Sequence, residues 1–272
     1  MSGLSREAVE RLEGPLAKKI YFHEEIGSTQ ERARALAQEG AQHGTLVIAR
    51  VQTGGRGRLG RKWGSPLGGV WMSLVLRPTI PAHFAPRVTQ AAAVGVAKTL
   101  WSFGVEARIK WPNDLLVGER KICGILAESG TWDATTKHPG SSAGDHQVDF
   151  IVLGIGLNAN LDPKDLQVND REAATLRFEL GYDMDLSKLL NALLSNLDVE
   201  LGRIRSFGAV LDDWRGLNCT LGKLVRVRRF GQVLEGRAVD LTPEGALLLE
   251  TPDGRVKLFE GEVEHLRQEG GT

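Results

Sequence analysis

The feature that most constrains this chain is a pair of apolar runs, Thr45 to Val51 and Val70 to Leu76, separated by a loop that no core could hold. Short continuous apolar runs bounded by glycine and proline read as buried strands. The loop, Gly54-Gly55-Arg56-Gly57-Arg58-Leu59-Gly60-Arg61-Lys62-Trp63, contains four glycines, three arginines, a lysine and a tryptophan. Glycines let backbone N–H groups approach a ligand closely, guanidinium forks match carboxylate and phosphate, and an indole offers a stacking face. Together they describe a loop that folds over a nucleotide or an activated acid.

Charge supports a focused anion site. The 272 residues include 34 Lys+Arg and 34 Asp+Glu, a net charge of zero that argues against a uniformly basic nucleic-acid binder. Yet no Asp or Glu lies between Glu39 and Glu106, where Arg50, Arg56, Arg58, Arg61, Lys62, Arg77, Arg87 and Lys98 supply eight cations. The rest of the chain therefore carries minus eight. Gly55, Gly57 and Gly60 formally match the dinucleotide fingerprint, but that motif opens a helix and meets an acid about 20 residues later. Here Gly64-Ser65-Pro66 turns the chain towards a strand, and Val75 to Thr79 holds no acid. The Walker-type phosphate loop and the HRD and DFG elements of kinases are absent.

Along the chain, Ser5 to Lys19 reads as an amphipathic helix broken at Gly14-Pro15, followed by a strand at Ile20 to Phe22. Ser28-Thr29-Gln30-Glu31 fits a capping box opening a helix through Ala37. Val88 to Phe103 is a small-residue helix suited to close packing on a sheet. Arg108 to Trp111, Leu115 to Val117 and Lys121 to Ala127 are extended, the last two joined as a hairpin around Gly118-Glu119-Arg120. Gly130 to Gln147 is a long polar loop, Val148 to Leu157 a buried strand, and helices are predicted at Arg171 to Leu180, Leu186 to Ile204 and Ala209 to Gly216. After Asn218 the texture changes to short alternating runs such as Leu224 to Arg228, Val233 to Leu241 and Ala246 to Leu249, the pattern of a small separate β-barrel. The expected domains are 1–218 and 219–272. Cys123 and Cys219 match no metal or redox spacing, the N-terminal stretch lacks an apolar signal region, and no apolar run reaches about 18 residues. The expectation is a cytoplasmic protein without a membrane span.

Three further strings carry chemistry. Lys110-Trp111-Pro112-Asn113-Asp114 sets a cation and an aromatic beside two turn formers. Lys121-Ile122-Cys123-Gly124-Ile125-Leu126-Ala127-Glu128 starts an apolar strand with a lysine that period two aims to the face of Cys123 and Ile125, where it needs an anionic partner. Leu153-Gly154-Ile155-Gly156-Leu157-Asn158 has glycines inside a buried strand, marking close backbone approach.

With these motifs in this order, the sequence resembles the biotin protein ligases. The likeness runs through Ser28-Thr29, Gln52 to Trp63, Lys110 to Asp114, Lys121 to Leu126 and Gly154 to Asn158, with Gly245 to Leu249 like the family's C-terminal cap. The resemblance implies an α+β fold: a class II aminoacyl-tRNA-synthetase-like catalytic domain with a mixed sheet and helices, plus a small C-terminal SH3-like β-barrel. It implies an enzyme that joins biotin to ATP, with Mg2+, and then to a lysine of a biotin carboxyl carrier protein of acetyl-CoA carboxylase or a related carboxylase. Ser28, Thr29, Gln30, Gln52, Arg56, Gly57, Arg58, Lys121 and Gly124 would surround biotin; Arg58, Trp63, Lys110, Asn113 and Asn158 would hold ATP; Lys121 and Arg56 would be catalytic. Gln30 departs from the family's usual Asn. Asp114 is a candidate for magnesium or a turn cap. The family implies a homodimer, and with fewer than 30 residues before Ser28 no DNA-binding domain is expected.

The substrate would supply its own nucleophile, so no Ser-His-Asp or Cys-His set is required. Two rivals stand beside this reading. Lipoate–protein ligase shares the overall chemistry with a different acid. A non-catalytic nucleic-acid-binding module would use the basic loop with Lys223, Arg226, Arg228 and Arg229.

Overall fold

The computed structural model describes residues 3–130, 147–166 and 173–266. A seven-stranded sheet runs in the order β1 (Lys19–Ile26), β2 (Thr45–Gln52), β3 (Val70–Leu76), β7 (Phe150–Leu157), β6 (Arg120–Gly130), β5 (Asp114–Val117), β4 (Arg108–Lys110). Only β1 and β2 pair in parallel; every other neighbour is antiparallel. The parallel pair needs a crossover, and α2 (Thr29–Gln38) supplies it. Both apolar runs flanking the loop are strands, as expected, with β3 buried at every position.

The two faces of the sheet are filled differently. One lies against α2, whose Ala33, Leu36 and Ala37 pack on Val47, Val75, Phe150 and Val152. The other carries α3 (Pro86–Ser102), backed by α5 (Leu186–Gly202) and α6 (Phe207–Leu217). The close packing expected of α3 is as much helix to helix as helix to sheet. A Cβ on Gly95 would stand 3.2 Å from Asn196 O of α5, so the missing side chain permits the approach.

Several predicted elements shrink. Of Ser5 to Lys19, only α1 (Arg6–Glu10) is helical, because Gly14 takes φ +124° and turns the chain into β1, which begins earlier and ends later than predicted. The helix expected from Arg171 begins at α4 (Leu176–Leu180): Ala173 bridges Lys121 and Thr175 is the cap. Arg171 and most of the loop from Gly130 to Gln147 lie outside the described residues.

Residues 224–265 form a second, antiparallel sheet in the order β11 (Gly254–Leu258), β10 (Leu247–Thr251), β9 (Gln232–Leu241), β8 (Leu224–Arg229), β12 (Glu262–His265). It is bonded firmly to the first unit. Cys219 N donates to Ile109 O (2.9 Å), Trp111 N to Thr220 Oγ1 (3.1 Å), and the buried Arg87 Nε to Pro243 O (2.9 Å). Arg215 of α6 forks onto Asp240 of β9. Among the described residues both cysteines are free thiols, and burial pushes the Cys123 thiol far above its ordinary range. No helix there is long and apolar enough to cross a membrane.

Candidate active site

A cavity of about 730 Å³ opens on the α2 face of the sheet, at the N-terminal end of that helix. Its existence follows from side-chain size. Along β7 the residues facing α2 are Phe150, Val152, Gly154 and Gly156, so the bulk that seats the helix vanishes beyond its first turn. Gly156 pairs with Gly124 of β6, which extends the bare patch across two strands. The indole of Trp63 lies on this patch. A Cβ at Gly156 would overlap it, and one at Gly124 would stand 3.0 Å away. Both glycines are therefore required by close approach.

One end of the cavity is polar and uncharged. Thr29 N and Oγ1 both donate to Gln52 Oε1 (2.8 and 3.0 Å), and Gln52 Nε2 donates to Ser65 Oγ (2.8 Å). Thr29 Oγ1 is also 3.0 Å from Ser73 Oγ, which donates to Gln30 Oε1 at 3.0 Å. The extra methylene of Gln30 lets its amide cross Gly154, where a Cβ would fall 2.5 Å from Oε1.

The other end is cationic. Lys121 Nζ is 2.6 Å from Asp114 Oδ1 and 4.9 Å from the centre of the Trp63 ring. Its direction departs from the period-two expectation. Pairing of β5 with β6 shifts between Leu115↔Cys123 and Leu116↔Lys121, a bulge that turns Lys121 towards the face of Gly124 and leaves Cys123 in the core. Arg58 Nη1 donates to Asn113 Oδ1 (3.2 Å) and to Gly261 O (3.3 Å). Burial lowers the Arg58 pKa, although Asp114 and Glu260 oppose the shift. Arg56 is half-exposed and pairs with Glu31 of α2 at 2.9 Å, while Arg61 pairs with Glu262 of β12. Lys110 is buried in the wall, beside a cis Trp111–Pro112 peptide.

Among the described residues that line the cavity, three buried side-chain atoms have no protein hydrogen-bond partner: the donors Trp63 Nε1 and Trp111 Nε1, and the acceptor Asn158 Oδ1. Asn158 Nδ2 holds Lys121 O (3.3 Å) and Ala174 O (3.1 Å), which fixes where its oxygen faces. Buried unpaired groups cost about 1–3 kcal/mol each, so a ligand carrying both a donor and an acceptor fits here.

The structure brings thirteen of the fourteen sequence candidates, Asp114 included, to this one cavity wall. The exception is Ser28. Its buried hydroxyl accepts Glu31 N–H (3.4 Å) as the cap of α2, so it shapes the site from behind without lining it. Asn113 lines the cavity, but its amide is already engaged, Nδ2 donating to Ile125 O at 2.7 Å. Asp114 is taken up by Lys121, and among the described residues no three His, Cys, Asp or Glu gather as metal ligands. Sequence reasoning missed Ser73, Arg228 and the stretch from Gly261 to Glu264. Ser73 left a signal, being the lone polar residue of the run Val70 to Leu76. The others left none, because only the docking of the second sheet puts them there.

A strand-built cavity with a neutral polar end, a cationic end and an overlying glycine–arginine loop is the architecture of an acid-activating ligase. Residues 23–139 match the biotin/lipoate A/B protein ligase family, and residues 220–266 match the biotin protein ligase C-terminal domain. The chain is 34% identical over 254 residues to the bifunctional ligase/repressor BirA of Bacillus subtilis, covering 92% of this chain and 74% of that protein. It is 31% identical over 253 residues to the biotin–[acetyl-CoA-carboxylase] ligase of Mycobacterium tuberculosis, covering 89% and 87%. The biotin protein ligase of Aquifex aeolicus, solved with biotin and ATP, superposes with a TM-score of 0.73 at 27% identity over 92% of this chain and all of that one. The chain belongs to the biotin protein ligase family.

Proposed function

We propose that this enzyme activates biotin with ATP and transfers the biotinyl group to a lysine of a biotin carboxyl carrier protein, the acceptor belonging to acetyl-CoA carboxylase or a related biotin-dependent carboxylase. The observation that carries the reading is the polarity of the cavity: amide and hydroxyl groups at one end, Lys121 and Arg58 at the other, with the loop cation Arg56 held on Glu31 of α2. A neutral polar head with a carboxylate tail matches the two ends in order.

In the first step a carboxylate oxygen attacks the α-phosphorus of ATP and the bond to pyrophosphate breaks, leaving a mixed anhydride with AMP. In the second, the unprotonated amine of the acceptor lysine attacks the anhydride carbonyl and AMP leaves. The reactants of the first step are both anions, so the protein's tasks are to align them and to offset charge growing at phosphorus. Lys121 and Arg56 take that role. Lys121 is well suited because its exchangeable partner, Asp114, holds the ammonium in place before the anion arrives. Thr29, Gln30 and Gln52 would hold the head group beside Gly57, with Gly124 making room for the Trp63 indole. Trp63, Lys110, Asn158 and Arg58 would hold the nucleotide, with Asn113 serving it through its hold on Arg58. Magnesium would be carried in on the nucleotide phosphates and would neutralise them there.

The catalytic sheet and its helices suit a class II aminoacyl-tRNA-synthetase-like unit of residues 1–218, and the five short antiparallel strands suit an SH3-like barrel of residues 219–272. A homodimer working in the cytoplasm completes the proposal; sedimentation equilibrium tests its assembly state. Incubation with biotin and labelled ATP should form a biotin-dependent adenylate, and a carboxyl carrier domain should then take the label onto lysine. No adenylate with biotin, but adenylate with lipoate, would turn the reading to lipoate–protein ligase. Arg56→Ala is expected to let the adenylate escape and label bystander lysines, read by mass spectrometry of an added inert protein. Nucleic-acid binding by the second sheet is disfavoured, because Arg226, Arg228 and Arg229 each meet a carboxylate, of Glu235, Glu264 or Glu260.

A further inference from the structure

The neutral end of the cavity is short of a proton. Four oxygens stand in a row, Gln52 Oε1, Thr29 Oγ1, Ser73 Oγ and Gln30 Oε1, each 3.0 Å from the next. Both amides have a determined orientation. Gln52 Oε1 receives Thr29 N–H, and its Nε2 faces Ser65 Oγ. Gln30 Nε2 lies 2.9 Å from Glu128 Oε2 and 3.1 Å from Val152 O; both are acceptors, so that end must be the NH2 and the carbonyl must face Ser73. Two hydroxyl protons are left to serve three contacts. The floor therefore has an acceptor to spare, and a ligand N–H would satisfy it.

What holds this polarity is remote from the ligand. Glu128 lies on β6 opposite Val152 of β7 and is anchored at 2.9 Å by Arg34 of α2. Burial opposes ionisation of Glu128, but hydrogen bonds from Gln30 and Arg34 outweigh it and keep the carboxyl below its ordinary range, charged and purely accepting. Val152 O favours the same Gln30 orientation, so removing Glu128 weakens the bias and does not abolish it.

We propose that Glu128 is a positioning residue that, through Gln30, keeps the cavity floor a hydrogen-bond acceptor and so selects acids whose head group carries N–H donors, a cyclic urea over a dithiolane. The proposal rests on the ligase reading above and names what sets its choice of acid. The test is steady-state pyrophosphate exchange with biotin, with lipoate as competitor. Glu128→Ala should raise the KM for biotin about tenfold, with kcat and the KM for ATP little changed and the preference over lipoate reduced by the same factor. Glu128→Gln, whose carbonyl can still accept from Gln30, should recover most of the loss. Arg34→Ala should give a smaller rise in the same direction. An unchanged KM for biotin in Glu128→Ala, an equal rise for ATP, or no recovery in Glu128→Gln would each overturn the assignment. If Glu128→Ala fails to fold, Arg34→Ala decides in its place, and an unchanged KM for biotin there would likewise overturn it. A wild-type enzyme without biotin-dependent exchange would instead defeat the ligase reading itself, whatever Glu128 does.

Discussion

Lys98, Glu200, Arg203 and Asp213 tie α3, α5 and α6 together through four contacts of 2.7–2.8 Å around a Glu200 carboxylate that is 2% exposed. At the cavity, among the described residues, Arg56, Arg61 and Lys121 each meet one carboxylate, and the two arginines are about half exposed. Both regions bind cation to anion, yet they differ in closure. In the helical square every cation has two carboxylates and every carboxylate two cations, so no charge is left for a ligand. At the cavity each cation can exchange its single internal carboxylate for a phosphate or carboxylate of the substrate at little net cost. Pairing that is complete makes structure, and pairing that is exchangeable makes a binding site.

Breaking the exchangeable set should cost catalysis with little loss of stability. Lys121→Ala is expected to slow adenylate formation by about 100-fold or more, roughly 2.7 kcal/mol, as for other lost groups that stabilise developing charge. Single-turnover assays with labelled ATP would show it, and near-native rates would remove Lys121 from the mechanism. Breaking the closed set should do the reverse. Glu200→Ala should lose about 2 kcal/mol of stability in urea, less than a fully buried pair, because Lys98 and Arg203 are about one-third exposed and keep Asp213. Its KM for biotin should be unchanged; a large change would mean that the two regions are coupled.

Acid sharpens the same contrast. Burial disfavours the Asp213 carboxylate, but hydrogen bonds from Lys98 and Arg203 outweigh this and hold its pKa below the ordinary value. A depressed folded pKa gives stability that is present above the unfolded value of about 3.9 and is lost as pH falls through the folded one. The stability gap between wild type and Asp213→Asn should therefore be full at pH 6 to 7 and close in strong acid. A gap that widened in acid would contradict the sign. The smallest effect is expected for Glu31→Gln, which frees Arg56 from an exposed pair: under about 0.5 kcal/mol in thermal unfolding, with adenylate formation retained.

Much of the site was legible because its chemistry is local. The glycine–arginine loop, the Lys110 to Asp114 turn and the glycines of β7 are contiguous strings whose residue types state their use before any contact is known. Ser28 shows the limit of such reading: capping and binding call for the same side chain, and only the fold reveals that its hydroxyl caps α2. Lys121 was placed on the wrong face because period two assumes an unbroken ladder, and the bulge between β5 and β6 breaks it.

The sequence by itself determined that two buried strands carry a cationic, glycine-rich loop, that a polar helix start precedes them, and that a different, strand-rich unit follows Asn218. These are matters of periodicity, turn chemistry and charge spacing, each read within about a dozen residues. The tertiary structure alone decided that Gly154 and Gly156 open a floor for Gln30 and Trp63, that Glu128 orients Gln30 across 98 residues, and that Gly261 and Glu262 of the second sheet meet the loop arginines. The physical reason is the same throughout: hydrogen-bond direction and strand register are properties of pairs far apart in sequence, and no single stretch of chain contains them.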